Sequence, residues 1–492
     1  MPLVLGLDVG TTTITALALD AGNGQIVARE TAANHAEITT PDAKARGRSD
    51  WDAARMAAAA LGVLRRCSAS LSSRSRDVAG IGLTGQQHGV VLVDDRLAPV
   101  TPFVNWQDRR AEEIDPKSAQ SLLERVRSLA GEESRERTGC TLSTGYMGVT
   151  LRWFHENAML PAGVTACFIV DYLGLVLTGK KPVTDATSAA SSGLFDISCG
   201  DWDRPLIERL GLPATIFAAI HPAGEPHGQL AASAADATGL PAGLPVCVGL
   251  GDNQASFYGS VADLDDAILV NVGTGGQVAA YSKRFLYSAD LETRPFPGGY
   301  LLVSAGLCGG RTYALLERFF RNVCDLTGNN LPTSSLYEAM NGLAGNVSRG
   351  ADGLRCEPLF SGTRRNSELR GVFSGISAEN FTPAHMARAL LEGMATIFHC
   401  GRRDIETVLG KPRVRLVGAG NGMRENPVLA RIVSDEFGMP LDMAIHREEA
   451  AFGAALVASV GLGILPGREA AAKLIRYQDY GGNSDSGRSS TR

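Results

Sequence analysis

The chain has 492 residues, of which 44% are hydrophobic and 20% are charged, a composition typical of a globular protein with a full core. Its 47 Lys and Arg against 52 Asp and Glu give a net charge of -5, which excludes the basic footprint expected of a protein that binds nucleic acid or an anionic membrane. At roughly 150 residues per domain, and with allowance for large α/β domains, this length predicts two domains.

The cysteines and the N-terminus indicate a cytoplasmic protein. The nine cysteines are scattered and none forms a CxxC pair, so reduced thiols are predicted instead of a disulfide framework or a zinc site. Asp8 interrupts the first apolar run and no basic segment precedes it, which argues against a signal peptide. The longest apolar candidate, 450–465, is short and carries glycines, so it is predicted to be a buried helix and turn and not a membrane segment.

The sequence predicts strands and two helices along the chain. In chain order they are a strand 3–8, a strand 14–19, a helix from Trp51 to about Arg66 capped by Ser49 and Asp50, a strand 81–85, strands 246–250, 267–272, 277–281 and 413–417, and an Ala-rich helix 448–460. The Pro- and Gly-marked stretch 241–245 places a domain boundary that gives domains of 1–248 and 249–476. Residues 477–492 turn to Gly, Ser, Asn and Arg and are predicted to be a disordered tail.

The strongest organisational signal is a short segment of similar sequence in each half of the chain, around Val9 and around Val272, which we call the echo. Each copy is a strand, a turn of Gly and Thr, and a return strand, which predicts a β-hairpin. The offset from Val9 to Val272 is 272 − 9 = 263 residues, near half the chain, and it predicts duplicated halves of one fold. The alternative is a chance match, since Val-Gly-Thr is common in β-hairpins.

The two hairpins are candidate phosphate sites. Glycine allows backbone N–H groups to approach phosphates closely, and threonine adds hydroxyl donors. The candidate donors are Thr11, Thr12, Thr13 and Thr274. Asp8 stands beside the first turn and is a candidate ligand of Mg²⁺. Two ordinary tight turns are the alternative, but the pair with a nearby acid favours phosphate binding.

Asp252 is the candidate general base. It follows Gly249 and Gly251 at the predicted domain junction, where a carboxylate can project into an interdomain cleft and accept the proton of an attacking hydroxyl. The alternative is that Asp252 is the N-cap of a helix, because Asp is a preferred cap residue. Both roles stay open at this point.

Polar side chains after the strand 81–85 suit the recognition of sugar hydroxyls. Gln87 and His88 supply neutral hydrogen-bonding groups, and Trp106 places an aromatic face beside Asp108. The alternatives are a structural histidine and a helix start with its tryptophan in the core.

Two other glycine-rich segments resemble nucleotide motifs incompletely. Residues 174–180 match a Walker A loop until Lys181, where Ser or Thr is required. Residues 418–422 resemble a dinucleotide fingerprint, but Met423 replaces its third glycine. The second segment follows a predicted strand and remains a candidate for close approach to a nucleotide.

Seven of these motifs occur in the order seen in the FGGY carbohydrate kinases, a family that the chain therefore resembles over nearly its whole length. They are Asp8-Val-Gly-Thr-Thr-Thr13, Gly85-Gln-Gln-His-Gly89, Trp106-Gln-Asp-Arg109, Gly251-Asp-Asn253, Val272-Gly-Thr-Gly275, Gly418-Ala-Gly-Asn421 and Glu448-Glu-Ala-Ala-Phe-Gly-Ala-Ala455. Gln-Gln-His-Gly and Gly-Asp-Asn resemble the ketose-directed branch, xylulokinase and sedoheptulokinase. The Gly309-Gly310 turn and Thr138-Gly-Cys140 look closest to sedoheptulokinase.

The resemblance implies two actin-like (ribonuclease H-like) α/β ATPase domains that close over a small sugar and phosphorylate it with ATP and Mg²⁺. It implies that Asp252 is the catalytic base and that Asp8 binds the metal. Together with the polar loops described above, the implied contacts are Gln87, His88, Trp106, Asp108, Asp252 and Asn253 for the sugar, and Thr11, Thr12, Thr13, Thr274, Gly309, Gly310, Gly418, Gly420 and Asn421 for the phosphates and nucleotide.

Two departures from the family pattern bear on function. Many members carry Lys or Arg where this chain has Thr15, and Arg311 is a candidate for the missing charge. Glycerol kinases carry an Arg-Glu pair where this chain has Gln87 and His88, which argues against glycerol. The rival interpretations are a chaperone-like ATP-binding member and a sugar-binding regulator without turnover. The expected partners are a sugar and ATP, with no nucleic acid and no membrane, and a homodimer is left open.

Overall fold

The apolar runs of the two hairpins form central strands of two seven-stranded sheets. The computed structural model describes residues 2–116, 118–326, 328, 333–360, 362, 366 and 368–479. We call the part from β1 to α9 the first lobe and the part from β18 to β26 the second lobe.

The first lobe contains 17 strands and nine helices within the described residues. The strands are β1 (Leu3–Val9), β2 (Thr13–Asp20), β3 (Ile26–Ala33), β4 (Asp50–Trp51), β5 (Val78–Gly85), β6 (Val91–Val93), β7 (Phe103–Val104), β8 (Ile114–Asp115), β9 (Gln120–Ser121), β10 (Thr165–Cys167), β11 (Val183–Thr184), β12 (Phe195–Asp196), β13 (Asp201–Trp202), β14 (Ala219–Ile220), β15 (Pro226–Gln229), β16 (Pro245–Cys247) and β17 (Leu250–Gly251). The helices are α1 (Pro41–Ala45), α2 (Ala53–Leu71), α3 (Leu122–Thr138), α4 (Met147–Glu156), α5 (Ile169–Thr178), α6 (Ala186–Ala190), α7 (Arg204–Arg209), α8 (Ala232–Thr238) and α9 (Asp252–Ser260).

The second lobe has nine strands and seven helices in the part of the chain that the structure describes. The strands are β18 (Ala267–Val272), β19 (Gly276–Ser282), β20 (Glu292–Phe296), β21 (Gly299–Leu307), β22 (Arg355–Glu357), β23 (Val372–Ser374), β24 (Arg415–Ala419), β25 (Leu441–Ala444) and β26 (Tyr477–Asp479). The helices are α10 (Gly310–Asp325), α11 (Thr333–Gly345), α12 (Pro383–Leu409), α13 (Asn421–Arg424), α14 (Pro427–Phe437), α15 (Glu449–Gly461) and α16 (Arg468–Ala472).

The two large sheets share one topology, which confirms the duplication predicted from the echo. In the first sheet β1 pairs antiparallel with β2 and parallel with β5, and β2 pairs with β3. In the second sheet β18 pairs antiparallel with β19 and parallel with β24, and β19 pairs with β21. Both Gly-Thr turns therefore lie at the same end of equivalent hairpins.

A helix from the second lobe packs between the two sheets. The strand β1 is apolar except for Asp8 near its end, because α2 covers one of its faces and α15 the other, as its membership of two core clusters indicates. The Ala-rich sequence of α15 allows a close approach to the first lobe. A Cβ at Gly6 would lie 1.9 Å from the carbonyl oxygen of Ala451, and one at Gly453 would lie 1.8 Å from that of Ala255.

Two sequence predictions are wrong at element ends. Residues Asp50 and Trp51 form β4, paired with β7, and the helix begins at Ala53. Its cap is Asp52, whose Oδ1 accepts the N–H of Arg55 over 3.0 Å, because Asp50 is already committed to a strand. The predicted tail from residue 477 starts with β26, which pairs with β25, and residues 480–492 lie outside the described ones.

The predicted domain boundary stays a prediction, although β17 lies beyond residue 248 and pairs with β5 of the first sheet. All nine cysteines are free thiols. Each helix in the described ranges is too short or too polar to cross a bilayer.

Candidate active site

The first Gly-Thr turn presents its tip to solvent. Gly10 donates its N–H to the carbonyl of Thr13 over 3.0 Å, and Asn34 Nδ2 donates to the Gly10 carbonyl over 2.9 Å. Thr12 and Thr13 are exposed at this tip. The turn is therefore held by its own backbone and by Asn34, with two hydroxyl groups available to a ligand.

Trp106 connects the first turn to the loop after β5. Its Nε1 donates to Thr11 Oγ1 over 3.0 Å, and that hydroxyl donates to Gln86 Oε1 over 3.1 Å. The Trp106 side chain remains 40% exposed. One residue thus contacts the phosphate turn and offers an aromatic face beside it.

Asp108 is buried and hydrogen-bonded inside the first lobe, and its contact with a sugar stays a prediction. It is fully buried, and its carboxylate accepts hydrogen bonds from Arg110 Nε at 2.8 Å and from the N–H of Ser49 at 2.8 Å. A buried carboxylate with these partners anchors the loop that carries Trp106. Thr15 is also buried, with its hydroxyl 3.0 Å from that of Thr31, and it pairs across the sheet with Asp8.

The second Gly-Thr turn is supported by the start of α10. Gly310 donates its N–H to the Gly273 carbonyl over 2.9 Å, and Arg311 donates to the Thr274 carbonyl over 3.0 Å. A Cβ at Gly309 would lie 2.3 Å from the carbonyl carbon of Gly275, so only glycine fits there. Thr274 itself is exposed at the tip.

A third glycine turn meets the second hairpin from the end of β24. Gly420 has φ +83°, and a Cβ there would lie 2.5 Å from the carbonyl oxygen of Val272. Asn421 follows it as the exposed first residue of α13. Gly418 is buried inside β24 beside Leu441, and its contact with a nucleotide stays a prediction.

Two carboxylates from different elements approach each other beside the first turn. Burial raises the pKa of Asp8 to about 8, and the nearby charges of Asp252 and Glu448 raise it further. Burial raises the pKa of Asp252 to about 6, against the opposing effects of the Asn253 N–H and the Arg294 charge. Two acids with raised pKa values at a cleft are typical of a catalytic or metal-binding site.

The acid pair fits a magnesium ion. Asp8 Oδ1 is buried without a hydrogen-bond partner, which is the state expected of an oxygen that a cation would satisfy. No group of three or more His, Cys, Asp or Glu within the described residues forms a metal site. Mg²⁺ is often held by one or two carboxylates together with substrate phosphates, so a pair of acids beside a phosphate turn is sufficient.

Asp252 is the first residue of α9 and is not its cap. The N-cap is Gly251, which has no side chain to cap with, so the alternative of a capping aspartate is wrong. The N–H of Gly251 donates to Thr187 Oγ1 over 2.8 Å, and Gln87 Nε2 donates to the Thr187 carbonyl over 3.0 Å. Thr187 therefore fixes the loop before Asp252 and the side chain of Gln87 together.

A cavity lies beside these residues. Its lining residues are Gln87, His88, Thr138, Cys140, Tyr146, Thr187, Ala190, Ser191, Gln254, Glu292, Thr293 and Arg294. Its mostly uncharged polar lining suits a small polyhydroxylated molecule.

His88 is held firmly in this cavity. Its backbone is left-handed, with φ +64°. Its Nδ1 lies 2.7 Å from the Ser191 carbonyl, which can only accept, so the proton is on Nδ1. Its ring stacks on Tyr146 with centroids 4.1 Å apart. Strained backbone fixed by neighbours is typical of a functional position.

Sequence reasoning missed several residues that border the cavity, among them Tyr146, Thr187, Ser191, Glu292 and Arg294. The run of small polar residues from 184 to 192 was a usable signal for two of them. Charged and uncharged residues alternate in Glu292, Thr293 and Arg294, which places two charges on one side of a strand. This pattern was a usable signal for Glu292 and Arg294. Their position against the first lobe depends on tertiary contacts.

The comparisons with known proteins identify the family. Residues 3–259 match the N-terminal domain, and residues 268–462 the C-terminal domain, of the FGGY family of carbohydrate kinases. The chain is 27% identical to a xylulose kinase of Lactococcus lactis (97% of this chain, 92% of the relative) and 28% identical to the human sedoheptulokinase (93% and 97%). A solved xylulose kinase from Rhodospirillum rubrum superposes with a TM-score of 0.85 at 27% identity, covering 98% of this chain and 94% of the other. With both family domains matched in order, this chain belongs to the FGGY family of carbohydrate kinases.

Proposed function

We propose that this sugar phosphotransferase transfers the γ-phosphoryl group of Mg²⁺-bound ATP to a hydroxyl of a small ketose, similar to xylulose or sedoheptulose. The observation that carries the proposal is the position of Asp252. It lies near Asp8 on the phosphate side and next to Asn253, whose amide oxygen accepts a hydrogen bond from Arg294 of the sugar cavity over 2.9 Å. A base at this junction reaches both reacting groups.

The protein positions the phosphates, and one of its side chains, Asp252, accepts a proton. The two Gly-Thr turns, with Thr12 and Thr274 at their tips, hold the phosphates from both lobes. Asp252 accepts the proton of the attacking hydroxyl as the new P–O bond forms and the bond to the leaving ADP breaks. Magnesium held by Asp8 and the phosphates would neutralise the phosphate charge.

The side chains of the cavity support a ketose over glycerol. Gln87 and His88 are hydrogen-bonding groups fixed by Thr187 and Ser191, and they stand where glycerol kinases carry an Arg-Glu pair. The two relatives described above are named for xylulose and for sedoheptulose. A chaperone-like member without a small-molecule acceptor would not need such a cavity beside its base.

The test is ADP release with MgATP and a panel of xylulose, sedoheptulose, ribulose, glycerol and glucose. We expect turnover with at least one ketose to exceed that with glycerol by tenfold or more in kcat/KM, in line with the roughly tenfold or larger discrimination that pocket contacts provide. A preference for glycerol would contradict the ketose proposal. ATP consumption that no sugar changes would favour the chaperone-like alternative. The cytoplasmic location and a homodimer remain proposals, and gel filtration with light scattering tests the latter.

A further inference from the structure

The sugar cavity has a wall that comes from the other lobe. The strand β20 is an edge strand of the second sheet, yet it lies on the first lobe. Thr293 donates its N–H to the Gly139 carbonyl over 3.0 Å, and Gln254 Nε2 donates to the Pro295 carbonyl over 3.3 Å. The residues of β20 therefore face the cavity from a direction that the loops of the first lobe do not cover.

We propose that Glu292 and Arg294 of β20 are specificity-determining residues that bind hydroxyl groups of an uncharged sugar and exclude acidic sugars, an inference that rests on the proposed sugar-kinase function. Both residues line the cavity. Their side chains are only 16% and 15% exposed, so they are largely withdrawn from bulk solvent.

The pair is rigid and extends toward the base. Arg294 donates from Nε at 3.0 Å and from a terminal nitrogen at 2.6 Å to Glu292 Oε2. Its other terminal nitrogen donates to Asn253 Oδ1 over 2.9 Å, which turns the amide so that its NH₂ end is the donor for other groups. A planar guanidinium is suited to hold two partners at once in this way.

The charges around the cavity favour a neutral ligand. Glu292 and Arg294 compensate each other, and the next charged group toward the phosphate side is the carboxylate of Asp252. A sugar carboxylate or phosphate in the cavity would be repelled by Asp252 in a partly desolvated space, with no uncompensated cation of the pair to attract it. A hydroxyl group both donates and accepts, so it can bond to either member of the pair without net charge.

The test compares Glu292→Gln with the wild type, using the best ketose of the panel and gluconate as the acidic probe. The exchange keeps the shape but leaves the Arg294 charge uncompensated. We expect the KM for the ketose to rise about 10- to 100-fold, the range that a lost hydrogen bond to a charged group gives, with the KM for ATP unchanged. We also expect the gluconate-to-ketose ratio of kcat/KM to rise at least tenfold.

A second variant and a control keep the result interpretable. Arg294→Lys retains the charge but cannot bridge Glu292 and Asn253, so the ketose KM should rise while gluconate stays excluded. Glu392→Gln removes a similarly buried ion pair, with Arg388 in α12, and should change neither substrate constant. Melting temperatures show whether each variant is folded.

The outcomes separate this inference from the proposed function. Unchanged ketose KM and unchanged gluconate exclusion in Glu292→Gln and Arg294→Lys overturn the inference and leave the sugar kinase intact. A wild type that prefers gluconate overturns it as well. If the wild type turns over no sugar, the proposed function fails, and calorimetric titration of the ketose into wild type and Glu292→Gln decides the inference: weaker binding to the variant supports it, and equal or absent binding overturns it.

Discussion

Asp8, at the end of a central strand, and Asp252, at the start of a helix, bring two carboxylates together beside the first Gly-Thr turn. Burial, and then the charge of Asp252, raises the pKa of Asp8 to about 8. The folded chain therefore holds an acid pair that is unfavourable in the absence of a cation, and this relationship gives two predictions.

Asp8→Asn should stabilise the ligand-free protein. The folded pKa is about 8 against a reference of 3.8, so between these values the folded chain keeps the Asp8 proton that the unfolded chain releases, and stability falls as pH rises from about 4 to about 8. We expect the variant to gain roughly 1–3 kcal/mol at pH 8 and nothing below pH 4. Thermal unfolding across this range checks it, with the exposed Asp236→Asn as control. Mg²⁺ with ADP should raise the melting temperature of the wild type more than that of the variant, and equal shifts would remove Asp8 from the metal site.

Asp252→Asn should lower turnover by about 10²–10⁴-fold, the usual contribution of a general base, while sugar and ATP still bind. In the wild type the base must be ionised, and burial raises the pKa of Asp252 to about 6, so kcat/KM should fall as pH drops below about 6. Steady-state kinetics and calorimetry measure both effects. A variant that keeps most of its activity would overturn the catalytic assignment.

Thr274→Val should weaken the use of ATP and leave sugar affinity unchanged. The substitution keeps the shape of an exposed residue at the tip of the second turn and deletes one hydroxyl. A hydrogen bond to a charged phosphate oxygen gives roughly a 10- to 100-fold change when lost. Calorimetric titration with an ATP analogue and with the sugar separates the two ligands. Unaltered nucleotide affinity and turnover would place Thr274 outside the site.

Gly309→Ala should reduce nucleotide binding by displacing the second turn. Its Cβ would lie 2.3 Å from the carbonyl carbon of Gly275, and backbone at that distance must shift. Gly342→Ala is the matched control, because a Cβ in that helix meets nothing within 4 Å. We expect an at least tenfold higher KM for ATP in the first variant only, on the scale of one lost hydrogen bond to a phosphate. Similar constants in both variants would contradict this role of the turn.

The two lobes should close when both ligands are bound, because the two phosphate turns lie on different lobes. Small-angle scattering should show a smaller radius of gyration with sugar and a non-hydrolysable ATP analogue than with either alone. An unchanged radius under saturating ligands would count against closure.

Local patterns determined most of the fold. The strands 3–8 and 267–272, the Gly-Thr turns and the Ala-rich helix near residue 450 follow from short-range hydrophobicity and turn chemistry, and the two sheets confirm the duplication that the echo predicted. The errors occurred where a neighbouring strand competed for the same residues. Asp50 has the chemistry of a good helix cap, but it pairs with β7 instead. Tyr477 begins a polar segment of the sequence, but it pairs with β25.

The candidate site was predictable only in part. Motif residues such as Asp8, His88 and Asp252 stand out because they are polar or charged side chains at the ends of predicted apolar strands. Their roles were implied by the order of the motifs along the chain. The burial of Asp108 and the arrival of Glu292 and Arg294 at the cavity depend on contacts between distant segments, such as that between Thr293 and Gly139. Sequence alone determined which side chains were available, and tertiary packing decided which of them face the ligand, because burial and the electrostatic field depend on neighbours that are far apart in the chain.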